Sequence, residues 1–201
     1  MSTELDQFEE SIRRVEALRA LHDVLINQTT SIIDLTDLLR ACYVLALSAF
    51  DSYVHEAARR GMMQIFDGLR PSTDAYGRFK LSMQSITGAP TFSDACDNLE
   101  ADIRIQHSFL AFQKPDKVSD AIRLISDATI WEEIGKTLGR PTKEIKDQLN
   151  LIVDRRNKIA HEADLDPTYP NTRWPINPAD VKVVVTFITT IVHGLDAIIA
   201  L

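Results

Sequence analysis

The chain has 201 residues, 45% of them hydrophobic and 25% charged, with 22 Lys plus Arg against 29 Asp plus Glu and a formal net charge of −7. That is the size of one domain (1–201) with ample apolar material for a core, so a disordered chain is excluded, as is a surface that coats nucleic acid non-specifically. Gly, at 7 residues, stands near half its usual ~7% share, which points toward helices rather than tight turns.

Cys42 and Cys96 are the only cysteines. Two cannot build a zinc site or a disulfide framework, so a reducing, cytoplasmic setting is expected. The first residues carry Glu4 and Asp6 where a signal peptide would be basic. No stretch approaches the ~18 uncharged apolar residues of a spanning helix; the closest, Val183 to Val192, is ten residues long with three threonines. A soluble protein without a membrane partner is expected.

Periodicity is helical nearly throughout. Leu5, Phe8, Ile12, Val15, Leu18 and Leu21 step at threes and fours, which predicts a first helix over 3–27. Asp34 can cap a second, running to about Gly61 or Gly68 on the stripe Leu35, Leu38, Cys42, Leu45, Ala46, Ala49 and Tyr53. Val44, Leu47 and Val54 make its reverse face apolar as well, so it should be buried on two sides. The middle is punctuated by Gly68 and Pro71, then by Gly88-Ala89-Pro90, and Pro115 opens a helix near Val118 to Ile125. A strongly periodic helix over 142–163 leads into a Pro- and Asp-rich loop from Asp164 to Ile176. The final segment has β-branched composition, but Val181, Val184, Val185, Ile188, Ile191, Val192, Leu195 and Ile199 hold helical spacing for five turns. Asn177 as N-cap, Pro178 after it and Asp180 in the first turn complete a start signal. The fold class is all-α, a helical bundle with extra helices in the middle segment.

Several chemistries lack their residues. Gly135-Lys136-Thr137 resembles the end of a phosphate-binding loop, but Ile130 stands where its first Gly belongs, so it reads as a turn between helices. His55-Glu56 and His161-Glu162 begin like zinc-protease motifs, yet Arg59 and Leu165 replace the second His. No metal site is expected from five scattered His and two Cys, although carboxylates could still hold Mg²⁺.

The informative stretch is Arg155-Arg156-Asn157-Lys158-Ile159-Ala160-His161-Glu162-Ala163-Asp164. At about 100° per residue, Ile145, Leu149, Ile152, Ile159 and Ala163 form the core stripe, and Arg156 falls among them. A guanidinium there either snorkels past the helix edge, makes a structural ion pair, or meets an anionic ligand. The opposite sector holds Asn150, Asp154, Asn157, His161 and Asp164, which is either a solvated face or a packed polar contact. Arg156 and His161 lie about 140° apart on a straight helix. Residues 136–158 carry +4, leaving −11 for the rest, a contrast that can direct a polyanion to one spot. Asp51 and His55, one turn apart on the second helix, are either a surface ion pair or a buried pair in which Asp51 orients His55 or meets Arg156.

Arg156-Asn157-x-x-x-His161 fits the signature of the HEPN superfamily, an Arg, four to six residues, then a His. The wider text, Leu47 to Glu56 together with Arg155 to Pro167 and Arg173-x-Pro175-Ile176, resembles the RiboL-PSP-HEPN group. The likeness covers the second helix and the chain from about residue 142 onward. It implies a homodimer whose motifs face each other, and metal-independent RNA cleavage without a cofactor, as in toxins of toxin–antitoxin systems and phage-defence effectors, with an antitoxin protein as a further partner. Under it Arg156, Asn157 and His161 are catalytic, and Asp51, His55, Arg155, Glu162 and Asp164 support them. RNA brings its own nucleophile, the 2′-OH, so an acid/base imidazole and an anion clamp suffice. Two other readings remain open: a non-catalytic HEPN dimer serving as a binding or scaffold module, and phosphoryl chemistry on a substrate other than RNA.

Overall fold

A computed structural model describes residues 3–30, 33–87, 91–169 and 171–200. Among them the chain forms α1 (Thr3–Ile26), α2 (Thr36–Phe66), α3 (Asp74–Gly77), α4 (Met83–Thr87), α5 (Phe92–His107), α6 (Pro115–Arg123), α7 (Ile130–Leu138), α8 (Thr142–His161) and α9 (Pro178–Ile199). The only β pairing among the described residues is an isolated bridge between Leu165 and Arg173. The all-α expectation therefore holds.

The bundle is organised around α2, which packs against α1, α5, α6, α8 and α9. It is buried on two sides: of the expected stripe Cys42, Ala46, Ala49 and Tyr53 are buried, as are Leu47 and Val54 on the reverse face, but Leu35, Leu38 and Val44 are half-buried, Leu45 is exposed, and Leu39 and Phe50 fill the core instead. Gly61 lets α2 approach Ile125, two residues past the end of α6, closely, because a Cβ there would stand 2.6 Å from Ile125 Cγ2. The helix ends at Phe66, and Gly68 then turns the chain with φ of +73°. Asp34 serves the start of α2 from one residue before the cap, its carboxylate accepting from the Thr36 N–H at 2.9 Å. Burial pushes the Cys42 thiol up to about 11, so this cysteine is an inert core residue.

The second long core element is α9. Its capping box is complete: Asn177 accepts from the Ala179 and Asp180 amides, and Asp180 accepts from the Asn177 N–H. By length and composition α9 is apolar enough to cross a membrane; in the fold, Val181, Ile188, Ile191, Val192 and Leu195 are fully enclosed against α2, α7 and α1.

The middle segment holds the extra helices expected there. Helix α5 could not be placed individually, because its inward stripe is only Leu99, Ile103 and His107, too short and too polar to stand out by periodicity. Gly135-Lys136-Thr137 is not a turn but the body of α7, and the turn comes at Gly139, with φ of +61°. Gly135 is needed where it is, since a Cβ would meet the Arg140 carbonyl oxygen at 2.9 Å. The Gly88-Ala89-Pro90 punctuation lies outside the described residues.

Candidate functional site

Helix α8 presents Ile145, Leu149, Ile152 and Val153 to the core and ends at His161. The chain then reverses through two residues in the left-handed region, Ala163 (φ 52°) and Asp164 (φ 59°), with the Asp164 N–H donating back to the Lys158 carbonyl at 3.0 Å. This reversal corrects one expectation. Asp164 does not continue the polar face of α8 with Asn150, Asp154, Asn157 and His161; it turns inward and is 0% exposed. Helical angles hold only while the helix does, and here it stops three residues earlier.

A fully buried carboxylate requires partners. Asp164 Oδ2 accepts from Arg40 Nε at 2.8 Å and from Arg155 Nη2 at 2.9 Å. The same two guanidiniums reach the loop that returns toward α9: Arg40 Nη2 donates to the Trp174 carbonyl at 2.9 Å, and Arg155 Nη2 to the Trp174 and Pro175 carbonyls. Trp174 N–H closes the loop on the Asp164 carbonyl at 2.9 Å. Arg40 is itself buried and held by Thr36, and Arg173 pairs with Asp37 at the start of α2. One carboxylate thus joins the start of α2, the end of α8 and the 164–175 loop. Arg40 was missed from sequence. Its signal was a charged residue between Leu39 and Cys42 on a helix read as buried on two sides.

The adjacent arginines of α8 differ. Arg155 is committed to Asp164, so the structural ion pair considered for Arg156 belongs to its neighbour. Arg156 has no carboxylate partner among the described residues. Its Nε is buried without a hydrogen bond, and its Nη1 donates to Asn157 Oδ1 at 3.1 Å. Arg156 and Asn157 are half-buried, whereas His161 and Glu162 are exposed at the end of the helix. Lys158 lies on the Trp174 ring, 5.6 Å from its centre. Of the basic residues in 136–158, Lys146 pairs with Asp116, Arg140 with Glu144 and Arg155 with Asp164; Lys136, Lys143, Arg156 and Lys158 make no ion pair among the described residues.

Asp51 and His55 belong elsewhere. Asp51 accepts from the Phe112 N–H at 2.6 Å and from Gln113 Nε2 at 3.2 Å, and lies 3.7 Å from His55 Nε2. The pair is therefore not a bare surface ion pair, nor does Asp51 meet Arg156; it ties the α5–α6 connection onto α2. The reason is position. Arg40 marks where α2 meets the end of α8, and Asp51 is eleven residues, about 16 Å of rise, further along. His55 stacks on Phe112 (4.4 Å) and touches His107 (5.9 Å). His107 is buried against Phe79 and Phe112; His22 is buried too, and His193 is exposed near Glu9. Among the described residues no group of three His, Cys, Asp or Glu side chains could hold a metal ion.

Two outcomes follow from these contacts. Asp164→Ala leaves the buried Arg40 and the half-buried Arg155 without their carboxylate and should cost about 3–5 kcal/mol in urea unfolding. Burial, reinforced by the nearby His55, lowers the His107 pKa to about 4. The unfolded chain then binds a proton that the fold refuses, so this stability is complete above pH ~6.5 and is lost as pH falls toward 4. His107→Phe should therefore show a smaller drop in melting temperature between pH 7 and 4.5 than the parent chain.

A model of the RiboL-PSP-HEPN family matches residues 9–201, which extends the likeness through α1 and the whole middle segment. No curated protein and no solved structure matches the chain. With a helical fold throughout and a match over nearly its full length, the chain belongs to the RiboL-PSP-HEPN family, one of the HEPN domains.

Proposed function

We propose that this protein is a metal-independent endoribonuclease that acts as a homodimer, serving as a toxin or phage-defence effector restrained by an antitoxin protein. The observation that carries the proposal is the inequality of the two arginines. Arg156 keeps a buried, unpaired Nε and is bound only by a neutral amide, which is costly unless an anion completes it. A scissile phosphate supplies that anion, and the exposed His161 stands on the same helix. HEPN membership is consistent with ribonuclease or nucleotide-related chemistry.

In this reading the RNA 2′-oxygen attacks the adjacent phosphorus while an imidazole takes its proton. Arg156 holds the non-bridging oxygens and stabilises the charge that develops on them. A second imidazole protonates the departing 5′-oxygen, leaving 2′,3′-cyclic phosphate and 5′-OH ends. One α8 carries one His161, about 140° round the helix from Arg156. Two copies meeting at the ends of α8 would supply both imidazoles and place each beside the other copy's arginine. Asn157 acts through Arg156, fixing the guanidinium by its Nη1, and Lys158, Glu162 and Arg155 frame the site.

The test is cleavage of a mixed-sequence RNA in excess EDTA. Arg156→Ala and His161→Ala should each lose at least about 10²-fold in rate, with melting close to the parent, and 2′-deoxy substitution at the scissile position should block cleavage. Folded, dimeric variants that cleave RNA as fast as the parent would overturn the reading, as would 3′-OH product ends.

A further inference from the structure

Away from the α8 terminus, a groove of about 490 Å³ runs between the α7–α8 turn and α9. Leu138 and Arg140 form one wall; Ala179, Lys182, Val183 and Phe187 form the other. The α9 wall is a continuous stripe at three- and four-residue spacing, ending at Thr190, about 16 Å of helix rise. Phe187 belongs to the buried core, whereas Ala179, Lys182, Val183 and Thr186 face outward, Val183 being 59% exposed. No carboxylate lines the groove. Arg140 bonds to Gln148 at 2.9 Å, with its nearest carboxylate, Glu144, 4.0 Å away on an exposed side chain, and Lys182 makes no ion pair among the described residues. In a chain of net charge −7, an aliphatic trough edged by two cations is a local inversion of the surface.

We infer that this groove binds a short amphipathic helix of a partner protein, with aliphatic side chains at i, i+3/i+4 and i+7 and carboxylates on its flanks. Length fits: three turns of unpartnered α9 match the three turns such a helix lays into a groove. Charge selects the flanks, since Arg140 and Lys182 reward carboxylates and repel basic segments. RNA fits less well: the one aromatic in the lining, Phe187, is buried, so bases find no stacking platform. A second copy of this chain is the competing occupant, and the oligomeric state of a Val183→Glu variant tells the two apart. Gln148 lies eight residues before Arg156, about 12 Å of rise, so docking here is separate from the α8 terminus and does not depend on the chemistry there.

The experiment is selection from a displayed library of 14-residue helices, with one face drawn from Leu, Ile, Val and Ala and the flanks drawn equally from Glu, Lys, Gln and Ser. The full chain is the bait, and enriched sequences are then synthesised and titrated. Enriched helices should carry a clear excess of Glu over Lys, and Val183→Glu and Lys182→Glu should each weaken their binding by roughly tenfold or more while melting as the parent does. A Lys182→Arg variant should bind like the parent. Enrichment without acidic bias, binding untouched by either substitution, no enrichment, displacement by poly-uridine RNA, or conversion of the chain to a smaller oligomer by Val183→Glu would each overturn the inference.

Discussion

A single buried carboxylate organises the end of this molecule where α8 terminates. Asp164 is enclosed at the point where α8 terminates, and it is bearable there only because Arg40 and Arg155 both reach its Oδ2. Those guanidiniums do not stop at the carboxylate: each also takes the Trp174 carbonyl. The start of α2, the last turn of α8 and the returning loop are thereby held as one unit. Two consecutive left-handed residues, Ala163 and Asp164, are a strained way to leave a helix, and the clamp is what over-determines that conformation.

The clamp also divides the labour between neighbouring residues of identical type. Successive positions on a helix point about 100° apart, so Arg155 meets the loop and α2 while Arg156 faces away from Asp164. One guanidinium is paired by the fold, and the other has no carboxylate partner among the described residues, a buried nitrogen and a side-chain amide that steadies it. A site that must grip a transient phosphate needs such a cation, positioned by the scaffold and not satisfied by it. Asp51 and His55 make a second polar cluster, but its task is to fasten the α5–α6 connection over α2, with His107 and Phe112 completing the packing.

Much of this was legible in the residues, for stated reasons. The start of α9 is written in Asn177-Pro178 and Asp180, which form the capping box their types require, and the two-sided burial of α2 follows from its double stripe. The inward sector that contains Arg156 was visible from helical spacing, and its Nε is indeed enclosed. What spacing could not reveal was how the chain leaves α8. Spacing set the end near residue 163, two residues late, and kept Asp164 on the outer polar sector, whereas its inward turn depends on contacts with Arg40, more than a hundred positions earlier in the chain. Helix α5 was hidden for the opposite reason: three inward residues, one of them a histidine, leave too weak a pattern.

The most direct test of the central claim is an NMR titration of the arginine Nε–H groups with a short RNA whose 2′-OH groups are replaced by fluorine, so that it binds without reacting. The account predicts that the Arg156 Nε–H signal shifts on binding while those of Arg40 and Arg155, locked on Asp164 and the loop carbonyls, stay in place. Movement of Arg155 or Arg40 with Arg156 unaffected would contradict it.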